Sequence, residues 1–276
     1  MPELPEVQTV VNDLQSEGLP GITITGAQVF WPRTIAGMSP DVFCRRIAGQ
    51  TIAAIWRRGK YLVFDLANGD HLLIHLRMSG RLHLVSPDTE RDKHEHVLLD
   101  LENGQQLRFH DTRKFGRIHL VRELETVVGS LGPEPLEARF TVDAFAGQLH
   151  ARKCQLKPLL LDQTFVAGLG NIYVDEALWE ARLHPLRLSS SLTIQEIQTL
   201  HRAIRQVLRR GIANLGTTLG TGKANFYSVG RRTGRNSEEL QVFRRTNSPC
   251  PRCQTTIERL IVGQRSTHIC PACQKP

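Results

Sequence analysis

No stretch of this 276-residue chain is apolar for long enough to cross a bilayer as a helix. The opening MPELPEVQTVVNDLQ lacks a basic region followed by an apolar core, so no signal peptide is expected and a cytoplasmic, reducing setting is the expectation. Internal repeats and low-complexity tracts are missing as well. What remains is an ordinary globular composition, 40% hydrophobic and 22% charged, in a chain long enough for one large domain or two modest ones. Acidic residues are scarce at one end. Residues 221–276 contain ten Lys or Arg against Glu238, Glu239 and Glu258, so that segment holds +7 of the chain's +8 and the first 220 residues only +1. A basic end on a near-neutral body points to a polyanion, with a solubilising tail as the other reading.

Cysteines are few, and four of the six fall into two pairs, Cys250-Pro-Arg-Cys253 and Cys270-Pro-Ala-Cys273, sixteen residues apart. Each CxxC turn puts two thiolates on one side of a tight turn, and two such turns complete a tetrahedral zinc site. Disulfides are the alternative, and a reducing compartment disfavours them. Four protein ligands leave no position for water or substrate, so one structural Zn²⁺ is expected, holding a β-hairpin rigid. The intervening Ile257–Arg265 segment reads as two short strands about a turn at Gly263, with Arg259 and Arg265 placed to meet phosphate. Cys44 and Cys154 lack ligand spacing and read as small buried residues.

Residues 3–17 read as a helix, with Val7, Val10, Val11 and Leu14 on one stripe and Gly18, Pro20 and Gly21 ending it. Residues 22–122 read as antiparallel β structure, with hairpin turns at Asn68-Gly69 and Asn103-Gly104. LGPEPLE at 131–137 marks a domain break. Beyond it, 141–151, 153–162, 171–181 and 193–210 read as helices, the last opened by a Thr193/Glu196 capping box. Residues 214–239, rich in Gly, Thr and Arg, read as a long loop.

Pro2 follows the initiator Met1, whose removal would expose a secondary amine at the head of the first helix. A free α-amine titrates at about 7.7–8.0, and a helix N-terminus lowers that value. Such an amine forms Schiff bases as lysine does. Glu3 and Glu6 lie in the first turn, close enough to handle protons. Taken alone, Pro at a helix start and Glu in its first turn are also plain helix-initiation chemistry.

In combination the motifs resemble the bacterial formamidopyrimidine-DNA glycosylases, which remove oxidised purines such as 8-oxoguanine. They run in order along the whole chain: Pro2-Glu-Leu-Pro-Glu-Val7, Arg58-Gly-Lys60-Tyr, His75-Leu-Arg-Met78-Ser-Gly80, Asp111-Thr-Arg113-Lys-Phe115-Gly, Leu131-Gly-Pro-Glu-Pro135, Gly168-Leu-Gly-Asn171-Ile-Tyr and the zinc module. The resemblance implies an α+β fold of two domains. An N-terminal antiparallel β-sandwich with flanking helices (1–132) precedes a helical, helix–two-turn–helix domain with the lesion-covering loop (137–239), and a four-cysteine zinc β-hairpin follows (240–276). Duplex DNA with oxidised bases or abasic sites would lie in the cleft between the two domains. A monomer is expected, with no membrane role.

The resemblance also implies residue roles. Pro2 attacks C1′ of the damaged nucleotide. Glu3, with Glu6 beside it, moves protons. Lys60 serves β-elimination and Arg265 δ-elimination, or both grip phosphates. The flipped-out base leaves a gap that Met78, Arg113 and Phe115 fill. His94, Lys153, Lys157 and Asn171 contact DNA, Asn171 from a helix N-terminus. One departure concerns the lesion-covering loop: the family often has Lys after Gly216-Thr-Thr-Leu219, and this chain has Gly220. Two other readings are an endonuclease VIII-like enzyme acting on oxidised pyrimidines and a non-catalytic zinc-dependent DNA-binding protein.

Overall fold

The computed structural model describes residues 2–219, 226–230 and 232–276; Met1 and Gly220 lie outside the described residues. The chain divides into two compact units, Met1–Ser130 with Asn214–Ser237, and Leu131–Ala213 with Glu238–Pro276. Among the described residues no helix is long and apolar enough to cross a membrane.

In the first unit, helix α1 (Leu4–Ser16) starts where the expected helix starts. The Glu6 carboxylate accepts the Glu3 N–H at 2.8 Å, and Pro5 occupies the first turn, where a missing N–H breaks no helical bond. The stripe of Val7, Val10, Val11 and Leu14 is buried, packing α1 against the sheet. That sheet has nine strands: β1 (Thr23–Val29), β2 (Ile35–Ala36), β3 (Gln50–Arg58), β4 (Tyr61–Leu66), β5 (His71–His75), β6 (Gly80–Val85), β7 (Glu95–Leu101), β8 (Gln106–Asp111) and β9 (Arg117–Val121). Their order is β2-β9-β5-β4-β3-β1-β7-β8-β6, and every pairing is antiparallel except the short parallel β2–β9 contact. β1 and β3 share only the pairs Thr23↔Thr51 and Ile24↔Gln50. The sheet therefore folds into two leaves at this seam, and one core joins Ile55, Phe64, Leu72 and Ile74 of one leaf to Val97, Leu99, Leu107 and Phe109 of the other. The expected sandwich is present, and both Asn-Gly turns join the strands they were assigned to.

A helix the β-rich pattern did not announce, α2 (Pro40–Ile47), lies between β2 and β3. Ser39 Oγ caps it by accepting the Val42 N–H at 3.4 Å, and Pro40 opens its first turn. Its apolar signal is one i, i+4 pair, Phe43 and Ile47, too short to stand out among strands. The single turn α3 (Glu125–Val128) follows β9.

Residues 214–237 correct an expectation. The sequence reading places them with the helical domain, and they pack with the first unit instead. Buried carboxylates on α1 hold them. Glu6 Oε1 accepts the Thr217 N–H at 2.7 Å; Asp13 accepts the Val229 N–H at 3.0 Å and pairs with Arg232. Gly216 permits this approach, because it has φ +78° and a Cβ there would come within 2.9 Å of Glu6 Cγ.

The second unit contains α4 (Val142–His150), α5 (Leu156–Leu161), α6 (Asn171–Glu180) and α7 (Ile194–Ala213), each within an expected helical segment or overlapping most of it. Thr193 and Glu196 form the capping box: the Glu196 carboxylate accepts the Thr193 N–H at 2.8 Å and Thr193 Oγ1 accepts the Glu196 N–H at 3.3 Å. α6 is the buried scaffold, with every residue from Ile172 to Trp179 inside. Its two acids organise the C-terminal segment. Glu176 accepts the N–H groups of Gln241, Val242 and Phe243 at 2.9, 3.0 and 2.9 Å, and Asp175 accepts that of His268 at 2.9 Å. The hairpin pairs β10 (Glu258–Val262) with β11 (Arg265–Ile269), closing at Val262↔Arg265. Gly263 and Gln264 between them both have positive φ, +54° and +60°, as a tight two-residue hairpin turn requires.

Candidate active site

At the head of α1, Pro2 is buried, and Glu3 and Glu6 are 2% and 1% exposed. The two Glu6 oxygens are taken by backbone N–H groups, one by Glu3 and one by Thr217. Glu6 therefore fixes the chain at Glu3 and the base of the 214–237 segment. Thr217 and Thr218 extend the lattice: Asn236 Nδ2 donates to Thr217 Oγ1 at 2.9 Å, and Thr218 Oγ1 accepts the Gly234 N–H at 2.8 Å and donates to the Phe226 carbonyl at 2.6 Å.

Lys60 sits in the turn from β3 to β4, only 6% exposed. Nearby, His75 packs edge-on against Tyr61 at 4.6 Å, and its Nδ1 accepts the Arg77 N–H at 3.0 Å. Burial first, then the charges of Arg77 and Lys60, push the His75 pKa down to about 3. The imidazole is thus a fixed, neutral neighbour of a buried lysine, a role that its motif did not disclose.

Met78 and Phe115 would read as core residues by type, yet they are 41% and 49% exposed. Met78 follows β5, and Arg113 and Phe115 follow β8, with the Arg113 guanidinium 5.0 Å from the Phe115 ring centroid. A buried pair ties the two loops together. Ser79 Oγ donates to Asp111 Oδ1 at 2.5 Å, the same oxygen accepts the Arg113 N–H at 3.1 Å, and Asp111 Oδ2 accepts the Gly116 N–H at 2.7 Å. Asp111 is fully buried. Sequence reasoning passed over Ser79 and Asp111; the signal was there, since an Asp two residues before Arg113, at the end of a strand, suits an Asx-type turn. His94 is half-buried beside this loop. Its carbonyl accepts the Asp111 N–H at 2.9 Å, and its ring lies 5.7 Å from that of His110.

In the second unit, Lys153 and Arg265 are exposed, as DNA-contacting cations would be. Lys157 is not. It is 0% exposed, its Nζ donating to Asp175 Oδ1 at 2.6 Å and to the Ser266 carbonyl at 2.9 Å. The expected DNA contact is therefore corrected to an internal lock between α5, α6 and the hairpin. Asn171, first residue of α6, gives Nδ2 to the same Ser266 carbonyl at 2.9 Å, while its buried Oδ1 has no hydrogen-bond partner. Its side chain thus ties α6 to the hairpin. Arg259 lies along the hairpin, donating to Ser266 Oγ at 2.8 Å.

The four cysteines converge, their sulfurs all within 4.8 Å of one another, with Cys253 Sγ 3.4 Å from Cys270 Sγ and 3.5 Å from Cys273 Sγ. Four thiolates at roughly 2.3 Å from a tetrahedral Zn²⁺ stand about 3.8 Å apart, so the set fits one structural zinc. Cys250 and Cys270 are buried in a small core with Trp179, Val242 and Ile257.

Comparison with known proteins accounts for most of the chain. Residues 1–118 match the formamidopyrimidine-DNA glycosylase N-terminal domain, 131–222 the formamidopyrimidine-DNA glycosylase H2TH domain, and 247–276 the zinc finger found in FPG and IleRS. The formamidopyrimidine-DNA glycosylase of Protochlamydia amoebophila is 50% identical over 275 residues, covering 100% of both chains. That of Chloroflexus aurantiacus is 49% identical, covering 99% of this chain and 98% of its own. Among solved structures, a Lactococcus lactis FPG mutant in complex with Fapy-dG containing DNA superposes with a TM-score of 0.92 at 36% identity, with both chains fully covered. The Lactococcus lactis Fpg complex with abasic site containing DNA gives 0.91 at the same identity, covering 99% of this chain and 100% of that one.

Proposed function

The chain belongs to the formamidopyrimidine-DNA glycosylase family, and on that premise we propose that it excises oxidised purines from duplex DNA and then cleaves the strand at the abasic site. The observation that carries this reading is the head of α1. Glu3 is buried beside Pro2 and held in place by the Glu6 carboxylate, at a helix N-terminus whose dipole favours the neutral amine.

With Met1 removed, the Pro2 nitrogen attacks C1′, the glycosidic bond breaks, and the base leaves with a proton that Glu3 supplies. Glu3 then takes the proton of the attached amine and passes it to O4′ as the C1′–O4′ bond breaks and the sugar ring opens; because proline's amine is secondary, the product is a cationic Schiff base, which acidifies the C2′ protons. Loss of one C2′ proton expels the 3′ phosphate, and a second elimination expels the 5′ phosphate. Lys60 serves the first elimination and Arg265 the second, or both hold the phosphates. Met78, Phe115 and Arg113 occupy the space the flipped nucleotide vacates. His94 and Lys153 contact the DNA backbone. The zinc acts through structure alone, by fixing the hairpin that carries Arg265.

By role, residues 1–132 carry the chemistry, 137–239 the helical grip and lesion cover, and 240–276 the zinc hairpin, although 214–237 pack with the first unit. The same reading makes the protein a cytoplasmic monomer, since every residue given a role lies in this one chain. Incubation with an 8-oxoguanine duplex and borohydride is expected to trap a covalent protein–DNA adduct, abolished when an extra residue precedes Pro2. Failure to trap on any oxidised-base or abasic duplex would sink the lyase step. Stronger trapping on thymine-glycol than on 8-oxoguanine DNA would redirect the substrate to pyrimidines.

A further inference from the structure

α7 turns one side away from the core of its unit, and along that side Arg202, Arg205 and Arg209 recur at i, i+3 and i+7. With Gln198, His201 and Val142 of α4 they line a groove of about 640 Å³ in which no acidic side chain takes part. Of the acids nearby in sequence, Glu137 pairs with Arg139 at 2.5 Å and Glu196 with Arg187 at 3.0 Å, while Asp143, next to Val142, is exposed and does not line the groove. Arg205 is preset. Its Nη1 donates to the carbonyls of Pro135 and Glu137 at 2.7 and 3.0 Å, and its Nη2 to that of Leu136 at 3.3 Å. Burial and then the charge of Arg209 depress its pKa. Like charges at i, i+4 disfavour a helix unless an anion lies between them. The groove also has an apolar element, Val142 and the His201 ring, which stacks on Phe140 at 4.9 Å.

We propose that this groove docks an acidic peptide segment of a partner protein, carboxylates pairing with Arg202 and Arg209 and an apolar side chain resting on Val142 and His201. A guanidinium fork matches a carboxylate in two-point contact. Along the helix Arg202 and Arg209 stand roughly 10 Å apart, about the span of three residues of extended peptide. A nucleic-acid backbone would match the charge and leave the apolar element without a partner. The site is separate from the proposed chemistry, because none of its residues is individually assigned a contact or a step there.

The test is fluorescence anisotropy of the full chain with fluorescein-labelled Asp-Asp-Leu-Leu-Asp-Asp, in parallel with an undamaged duplex. Micromolar binding of the peptide is expected, weakened about tenfold or more by R202E/R209E. The exposed control pair R33E/R45E, an equal change of charge, is expected to shift it less than twofold. R202Q/R209Q repeats the measurement without charge reversal should the first variant not fold. Peptide binding that is undetectable, or lowered as much by the control pair, overturns the proposal. A loss of duplex affinity with R202E/R209E as large as the loss for peptide also overturns it, assigning the groove to DNA.

Discussion

Glu6 shows how a single side chain links chemistry to stability. Both its oxygens accept buried N–H groups, from Glu3 and from Thr217. Glu6→Gln puts an NH₂ donor against one of those donors and leaves it unsatisfied, at a cost of about 1–3 kcal/mol. We expect lower stability in urea and weaker borohydride trapping, with zinc content unchanged; wild-type stability would contradict the geometry. His75 supplies a pH signature. Its folded pKa, pushed down to about 3, lies below the unfolded value of about 6.5. Its contribution to stability is therefore complete above pH 6.5 and drains away as pH falls toward 3, by up to ~1.4 kcal/mol per pH unit. Ring NMR shifts of His75 that stay constant from pH 7 to 5 would bear this out, and a midpoint near 6.5 would refute it. At this scale the sequence disclosed residue types but not engagements. The zinc cysteines were legible, because CxxC spacing dictates their convergence; the exposure of Met78 and Phe115 was not, since by type both read as core. Lys157 was read as a DNA contact because it matches such a position in the resembled family, and nothing near it in sequence announces Asp175, eighteen positions on, as its buried partner.

Among elements, α1, the hairpin turns and the helical segments beyond residue 140 were legible, α1 and α7 from their periodicity and α7 also from its capping box. α2 was hidden because eight residues give too few repeats to separate a helix from its β-rich surroundings. α6 is the element whose importance the sequence understated: its burial on all sides gives no amphipathic signal, yet Asp175 and Glu176 anchor everything after residue 240. Removing the cation that faces Asp175 tests this. Lys157→Met leaves a buried carboxylate without its ion-pair partner, which costs about 3–5 kcal/mol. Faster hydrogen exchange at Thr267 and His268 is expected, with no comparable change in the sandwich. Protection unchanged in the hairpin would remove Lys157 from the lock.

For the whole molecule the charge asymmetry is the readable quantity, since a +7 end survives any rearrangement of the fold. If the exposed cations serve duplex DNA, affinity falls as a power of salt concentration. Lys153→Ala should flatten the logarithmic slope by about 0.9, the share of one phosphate contact. A slope indistinguishable from wild type would take Lys153 out of the interface. The grouping of 214–237 with the first unit was not legible. Nothing local in a Gly- and Arg-rich loop says that its partners are Glu6 and Asp13, because the determinant is a pair of carboxylates at the other end of the chain.

Those two carboxylates also bear on how the protein is made. Their partners at Thr217 and Val229 lie 211 and 216 residues downstream. At ribosomal speeds of 5–20 residues per second, roughly 10–40 s pass between synthesis of the N-terminal helix and arrival of the groups that complete it. Through that interval the nascent chain carries the head of α1 without the clasp that seats it, and on the proposed function a chain cut short before residue 214 would never complete the seat of its nucleophile.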